Sequence, residues 1–180
     1  MALDDNAPVL RTATEGDMTR IQEIYAHHVL HGLASFEEVT ADVAELTRRF
    51  HEVTAQDFPY VVTELGGKVQ GYAYAGPYRH RTAYRYSVEN SIYVDPSSVG
   101  KGLGRLLLAH IIERCTQLGY RQMIAVIGDS ENHPSINLHK ALGFERSGLQ
   151  KSVGFKFGRW VDSVFMQLDL GDGATTPPDF

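Results

Sequence analysis

The residues best able to do chemistry lie between Ile92 and Arg105: Ile92-Tyr93-Val94-Asp95-Pro96-Ser97-Ser98-Val99-Gly100-Lys101-Gly102-Leu103-Gly104-Arg105. An apolar run reads as a strand ending at Val94, Pro96 breaks it, and three alternating glycines lead into a helical pattern. Glycines let the backbone turn tightly and approach a ligand closely. The first N–H groups of the helix have no internal partner and stand at the positive end of its dipole. Together these features form an anion site suited to a pyrophosphate, with Lys101 and Arg105 adding positive charge. The spacing is neither G-x-x-x-x-G-K-[ST] nor G-x-G-x-x-G. It therefore argues against a P-loop nucleotidase and gives a dinucleotide fold no support. A glycine-rich turn with no ligand is the competing reading.

Other reactive side chains flank this turn. Glu89 lies on the same strand, among residues suited to pairing and packing (Tyr86, Val88, Ile92). In a cleft its pKa would rise by desolvation into a range useful for accepting a proton; on a sheet edge it would be a solvated charge. His139 lies on a later helix, where it could orient a substrate or protonate a leaving group, or simply be half-buried. Arg79 and Arg81, with Tyr84 nearby, offer forked donors to a carboxylate, phosphinate or sulfone, or else form a solvated basic loop. His27 and His31 share a helix face, but no third ligand stands at a recognisable spacing, so no metal is expected. Cys115 falls on an apolar helix stripe and reads as packing. Trp160 and Phe165 read as strand or interface aromatics.

The elements that must position these groups alternate along the chain. Val9 to Ala13 reads as a strand, and Thr14 and Asp17 open a helix with apolar residues at Met18, Ile21, Ile24, Tyr25, Val29 and Leu30. A loop containing Phe36 leads to a second helix from Asp42 to Val53. Phe58 to Leu65 and Lys68 to Pro77 form a hairpin through Gly66-Gly67. A strand from Tyr86 to Val94 precedes the glycine turn and a helix from Gly102 to Leu118. Gln122 to Ile127 is a central strand, and Pro134 to Leu142 a short helix. Strands at Glu145 to Val153 and Trp160 to Leu170 complete the pattern. The order is β-α-α-β-β-β-α-β-α-β-β, an α/β mixed sheet with helices on its faces.

The 180 residues suit one domain, expected over 9–170, with a flexible stretch at 1–8 and a disordered tail at 171–180. A net charge of -5 argues against nucleic acid as the main partner. No apolar run approaches bilayer length and no signal-peptide pattern opens the chain, so no membrane role is expected. One cysteine allows no intrachain disulfide, which suits the cytoplasm.

Two blocks carry a family resemblance. Val99-x-x-Gly102-x-Gly104 resembles the Q/R-x-x-G-x-G/A acetyl-CoA signature of the GNAT superfamily, with Val99 in place of the usual Gln or Arg. The run from Asn132 to Phe144 resembles its N-x-x-A-x-x-x-Y-x-x-x-G-F segment, with Ser135 for Ala and His139 for Tyr. The segments Ala75 to Arg79, Val88 to Val94, Ala125 to Gly128, Val153 to Trp160 and Ala34 to Glu37 resemble the phosphinothricin and methionine sulfoximine acetyltransferases.

That resemblance implies a GNAT fold and acetyl-CoA as co-substrate. Glu89 would be general base in a direct transfer, with His139 beside it. The cofactor would be held by the backbone of Ile92, Tyr93 and Val94, by Val99, Gly100, Lys101, Gly102, Leu103, Gly104 and Arg105, and by Asn132. Phe36 would wall an acceptor pocket, and Arg79, Arg81 and Tyr84 would bind the acidic end of a small amino-acid-like amine. The resemblance also implies a homodimer. The alternatives are another amine, such as a polyamine or a peptide N-terminus, or a non-catalytic acyl-CoA sensor.

Overall fold

Alternation of side chains along the strands decides the architecture. In the computed structural model, which describes residues 7–178, Tyr60, Val62 and Tyr72 face one side of a sheet while Val61, Ala73, Ala75 and Val88 face the other. Both sets are buried, so both faces need a cover, and helices provide it.

The seven strands are β1 (Val9–Thr12), β2 (Tyr60–Leu65), β3 (Lys68–Pro77), β4 (Ser87–Val94), β5 (Gln122–Gly128), β6 (Glu145–Lys156) and β7 (Arg159–Asp169), and the helices are α1 (Met18–His31), α2 (Val43–Thr54), α3 (Leu103–Gln117) and α4 (His133–Ala141). The sheet order is β1-β2-β3-β4-β5-β7-β6. The β4–β5 pair is parallel and the others are antiparallel. On one face α1 and α2 bury Met18, Ile21, Ile24, Val29, Leu46 and Phe50 over the first strands. On the other, α3 seats Leu107, Leu108, Ile111 and Cys115 over β2, β3 and β4, in one core with residues of β5 and β7.

The parallel ladder is short. It joins Ser87 to Gln122, Val88 to Met123 and Glu89 to Ile124, and then stops. Strand β5 stays paired to β7 as far as Gly128, and β4 stays paired to β3 as far as Val94. The two central strands therefore part beyond Glu89 and open a wedge in the middle of the sheet.

The expected element order holds, with boundaries moved by a residue or a few, and short 3-10 turns appear at Glu15–Asp17, Thr82–Tyr84 and Pro96–Ser98. Two expectations are corrected. Strand β6 runs on past Val153 to Lys156, because an irregularity between Gln150 and Gly154 absorbs the residues that disturb its alternation. The tail does not trail away over residues 171–178. Gly173 N–H donates to Leu170 O, and the Arg121 guanidinium donates to Thr176 Oγ1 and Pro177 O. Turn-forming composition there signals a folded-back end rather than a free one. Of the stretch expected to be flexible at 1–8, residues 1–6 lie outside the described residues. Among the described residues, no helix is long and apolar enough to cross a membrane.

Removing the buried side chain of Ile111 tests the seat of α3. Ile111→Ala should lower the unfolding free energy by about 2–5 kcal/mol in urea titrations; a loss under about 1 kcal/mol would mean that α3 is not packed as described.

Candidate active site

The glycine turn is held from behind. The Asp95 carboxylate accepts from Ser97 N–H at 2.9 Å and from its hydroxyl at 2.5 Å, and it is paired with Arg20 of α1. Burial alone would raise the Asp95 carboxyl, but these donors bring it down to about 2. Arg20 also donates to Val69 O at 3.0 Å, so α1, β3 and the turn are fastened together. Gly102 caps α3 in the left-handed region at φ +79, where a side chain would be strained. A Cβ added at Gly100 or Gly102 would meet nothing within 4 Å, so the ground before the turn is open. The first helical bond of α3 comes from Leu106 N–H to Gly102 O. Helix geometry leaves the N–H groups of Leu103, Gly104 and Arg105 without an intrahelical acceptor. This donor set and the open cradle fit a diphosphate. Val99, half of it and more exposed, and Arg105 line the same cleft. Lys101 does not: its ammonium is tied back to Ser98 Oγ at 3.3 Å.

The wedge between β4 and β5 forms the rest of a cleft of about 1100 Å³. Asp95 N–H donates to Gln70 O and Tyr78 N–H to Ser87 O, at the two ends of a β3–β4 ladder with no register shift. Odd-numbered residues of β4 therefore turn their backbone groups to β3, and Val88, Asn90, Ile92 and Val94 turn theirs toward β5. Beyond Glu89 there is no β5 partner, so Ile92 and Val94 present backbone groups to the wedge. The backbone of Tyr93 faces β3 instead, which corrects its expected place among the backbone contacts. Its ring packs against Tyr72 and Tyr25.

The Val94 carbonyl is already taken by His28, which donates Nε2–H at 2.9 Å. Burial lowers the His28 pKa, the Val94 bond opposing, so the ring is kept neutral. Sequence reading passed over His28 in favour of the pair His27 and His31, whose rings stand 4.8 Å apart. A signal was present: His28 continues the helical spacing of Ile21, Ile24 and Tyr25 and so had to face inward. Among the described residues no group of three or more His, Cys, Asp or Glu is arranged to hold a metal ion.

Glu89 stands where the two strands part and lines the cleft. Its cross-strand neighbour is Gly76, where an added Cβ would meet nothing within 4 Å, so space is left beside the carboxylate. Burial, the larger influence, raises the Glu89 pKa, and the Arg79 guanidinium pulls it partly back. His139 is buried on α4, with Nδ1 at 2.8 Å from Ser135 O and Nε2 at 3.2 Å from the Asn90 side chain. Asn132 lines the cleft, but its side chain caps α4: Oδ1 accepts from Ser135 N–H and Nδ2 donates to Gly128 O.

At the other end, Phe36 covers the wedge. Its ring lies on bare backbone, since a Cβ at Gly154 would stand 2.5 Å from Phe36 Cε2 and one at Gly128 would collide with the Leu33 carbonyl. The loop is clamped by Lys156, whose buried ammonium donates to Ser35 O at 2.7 Å and Gly32 O at 3.0 Å. Nothing in the sequence reading singled out Lys156. Arg79, Arg81 and Tyr84 do not reach the cleft wall. They lie exposed on the segment joining β3 to β4, with Arg79 over the Tyr78 ring at 5.1 Å and Tyr78 edge-on to Tyr84.

A mixed sheet parted after its central carboxylate, with a glycine-rich helix start beside the gap, is the framework of an acetyltransferase. The chain belongs to the acetyltransferase (GNAT) domain family, whose model matches residues 10–165. It is 49% identical to the phosphinothricin N-acetyltransferase of Alcaligenes faecalis over 96% of this chain and 88% of that protein. It is 41% identical to the L-methionine sulfoximine/L-methionine sulfone acetyltransferase of Salmonella typhimurium, over 92% of this chain and 96% of that one. The crystal structure of a phosphinothricin acetyltransferase from Sinorhizobium meliloti, in complex with AcCoA, superposes with a TM-score of 0.93 at 50% identity, covering 96% and 93% of the two chains.

The burial of Glu89 has a consequence independent of any reaction. Its folded-state pKa exceeds the unfolded one, so its contribution to stability is full below the unfolded pKa and is lost as pH rises through the folded pKa. Glu89→Gln, which cannot ionise, should resist urea better than the wild type at about pH 8, with the gap closing near pH 4. Equal stability at both pH values would show the carboxylate to be solvated.

Proposed function

We propose that this acetyltransferase moves the acetyl group of acetyl-CoA onto the primary amine of a small, anionic amino-acid-like acceptor, of the phosphinothricin or methionine sulfoximine and sulfone kind. The observation that carries the reading is the position of Glu89: a half-buried carboxylate at the point where β4 leaves β5, with open space opposite it at Gly76. The names of the similar proteins support the acceptor class.

Acetyl-CoA, when bound, supplies an activated thioester. The N–H groups of Leu103, Gly104 and Arg105 hold its diphosphate, and the backbone groups of Ile92 with the Val94 N–H align its arm like an added strand. Glu89 takes a proton from the acceptor ammonium; the freed amine nitrogen bonds to the acetyl carbon as the C–S bond breaks, and coenzyme A leaves as its thiol, taking up the proton that the new amide nitrogen sheds. The raised pKa of Glu89 brings it closer to that of the amine and makes it a better acceptor. Phe36 and its clamped loop exclude water on the acceptor side.

Arg79, Arg81 and Tyr84 bind the acidic end of the acceptor in this reading, through movement of their exposed segment toward Glu89. Arg79 already acts on that carboxylate, and a guanidinium there disfavours a cationic polyamine. A non-catalytic sensor would have no use for a carboxylate buried at the wedge.

The enzyme works as a homodimer in the same proposal. Val153, Phe155, Phe157 and Trp160 form an exposed apolar ribbon on the β6–β7 hairpin, larger than an isolated surface residue needs. A cytoplasmic setting suits the one thiol, Cys115, which is buried and pushed up to about 12.

The test is an acetyl-CoA-dependent thiol-release assay on phosphinothricin and methionine sulfone. The wild type should show activity with an acidic limb in kcat/KM set by Glu89. Glu89→Gln should lower kcat/KM by about 10²- to 10⁴-fold with acetyl-CoA binding kept. Full activity in that variant would remove Glu89 from the mechanism.

A further inference from the structure

His139 and Asn90 meet inside the cleft wall in a pattern that only certain proton positions satisfy. Both are buried, at 4% and 7% exposure. His139 Nδ1 faces the Ser135 carbonyl oxygen at 2.8 Å, and a carbonyl oxygen can only accept, so Nδ1 carries a hydrogen. A neutral ring then has a bare lone pair at Nε2. Yet Nε2 stands 3.2 Å from the Asn90 side-chain oxygen, which also accepts, while the Asn90 amide nitrogen has no partner. Burial disfavours the doubly protonated ring that would satisfy both oxygens, although the Ser135 bond works the other way.

The two ends of an amide differ little in shape, and their assignment follows the hydrogen-bond network. Exchanging the Asn90 oxygen and nitrogen resolves the conflict. Nδ2–H then donates to Nε2, and the contact joins a donor to an acceptor instead of an oxygen to a bare lone pair.

The place of this chain of bonds gives it a purpose. Asn90 is the first residue of β4 after its last pairing with β5, and His139 sits on α4, the helix that follows β5. The bond therefore crosses from one limb of the wedge to the element carried by the other, just where the backbone ladder ends.

We infer that Asn90 and His139 form a fixed brace across the wedge, with Asn90 Nδ2–H donating to His139 Nε2, so that His139 is a positioning residue and not the proton donor to the leaving thiol. As a brace, the pair sets the separation of the strands between which the thioester must lie. This role rests on the acetyltransferase reading; the proton assignment does not.

The assignment can be read without any substrate. In nitrogen-15-labelled protein near neutral pH, the His139 ring, identified by its loss in His139→Gln, should appear as a single neutral tautomer protonated at Nδ1. A ring protonated at Nε2, or at both nitrogens, would overturn the proposal whatever the variants do. In Asn90→Ala the ring should stay protonated at Nδ1, where the Ser135 carbonyl holds the hydrogen, and kcat/KM should fall about tenfold, the scale of one neutral hydrogen bond. His139→Ala should lose about as much. His139→Gln keeps an acceptor for Asn90 but no ionisable proton, and should recover most of what His139→Ala loses. A Gln variant no better than Ala would make the ring an acid and sink the brace. Absence of wild-type activity on every acceptor would defeat the function proposed above and leave the tautomer result standing.

Discussion

The parting of β4 from β5 is the constraint on which the rest depends. A sheet this buried ordinarily pairs every backbone group, because an unpaired one costs on the order of 1–3 kcal/mol. Here the parallel ladder stops at Glu89 and Ile124 while both strands continue, each held by its outer neighbour. The gap is stable because β3 and β7 anchor the two limbs and α3 closes one face. It leaves strand-like donors and acceptors facing a void, ready for an extended ligand that carries amides of its own.

Around that gap the chain maintains several unfavourable burials. Glu89 is held where its charge is poorly solvated, His28 and His139 are kept neutral by burial, and Lys156 has an ammonium buried on two carbonyls with no bonded carboxylate. Each is tied to a separate part of the cleft: the reacting centre, the Val94 carbonyl, the wedge and the loop bearing Phe36. The surrounding packing supports them. The aromatic stack of Tyr60, Tyr72, Tyr74 and Tyr93 on one face and the aliphatic seat of α3 on the other hold the strands rigid.

The element order and the anion-binding turn were legible because both rest on local rules. Alternation fixed the faces of β2 and β3, and Pro96 with three glycines marked the strand-to-helix turn. Features that depend on register were not legible. Whether Tyr93 or Ile92 offers its backbone depends on which residues of β4 bond to β3, and that parity is set by pairing far along the chain. Lys156 lies beyond a stretch of β6 between Gln150 and Gly154 where the pairing with β7 skips two residues, and that register no propensity reveals. Arg79 and Arg81 were placed at the acceptor on charge and on resemblance, whereas their segment lies exposed beside the cleft rather than on its wall. The tail looked free on composition, yet Arg121 gathers it in.

Residue-resolved amide hydrogen exchange, with and without acetyl-CoA, tests the central claim most directly. The account predicts added protection at Ile92 and Val94 and at Leu103, Gly104 and Arg105, with Tyr93 unchanged because its amide is already bonded to β3. Protection at Tyr93 without Ile92 and Val94, or none at the start of α3, would contradict it.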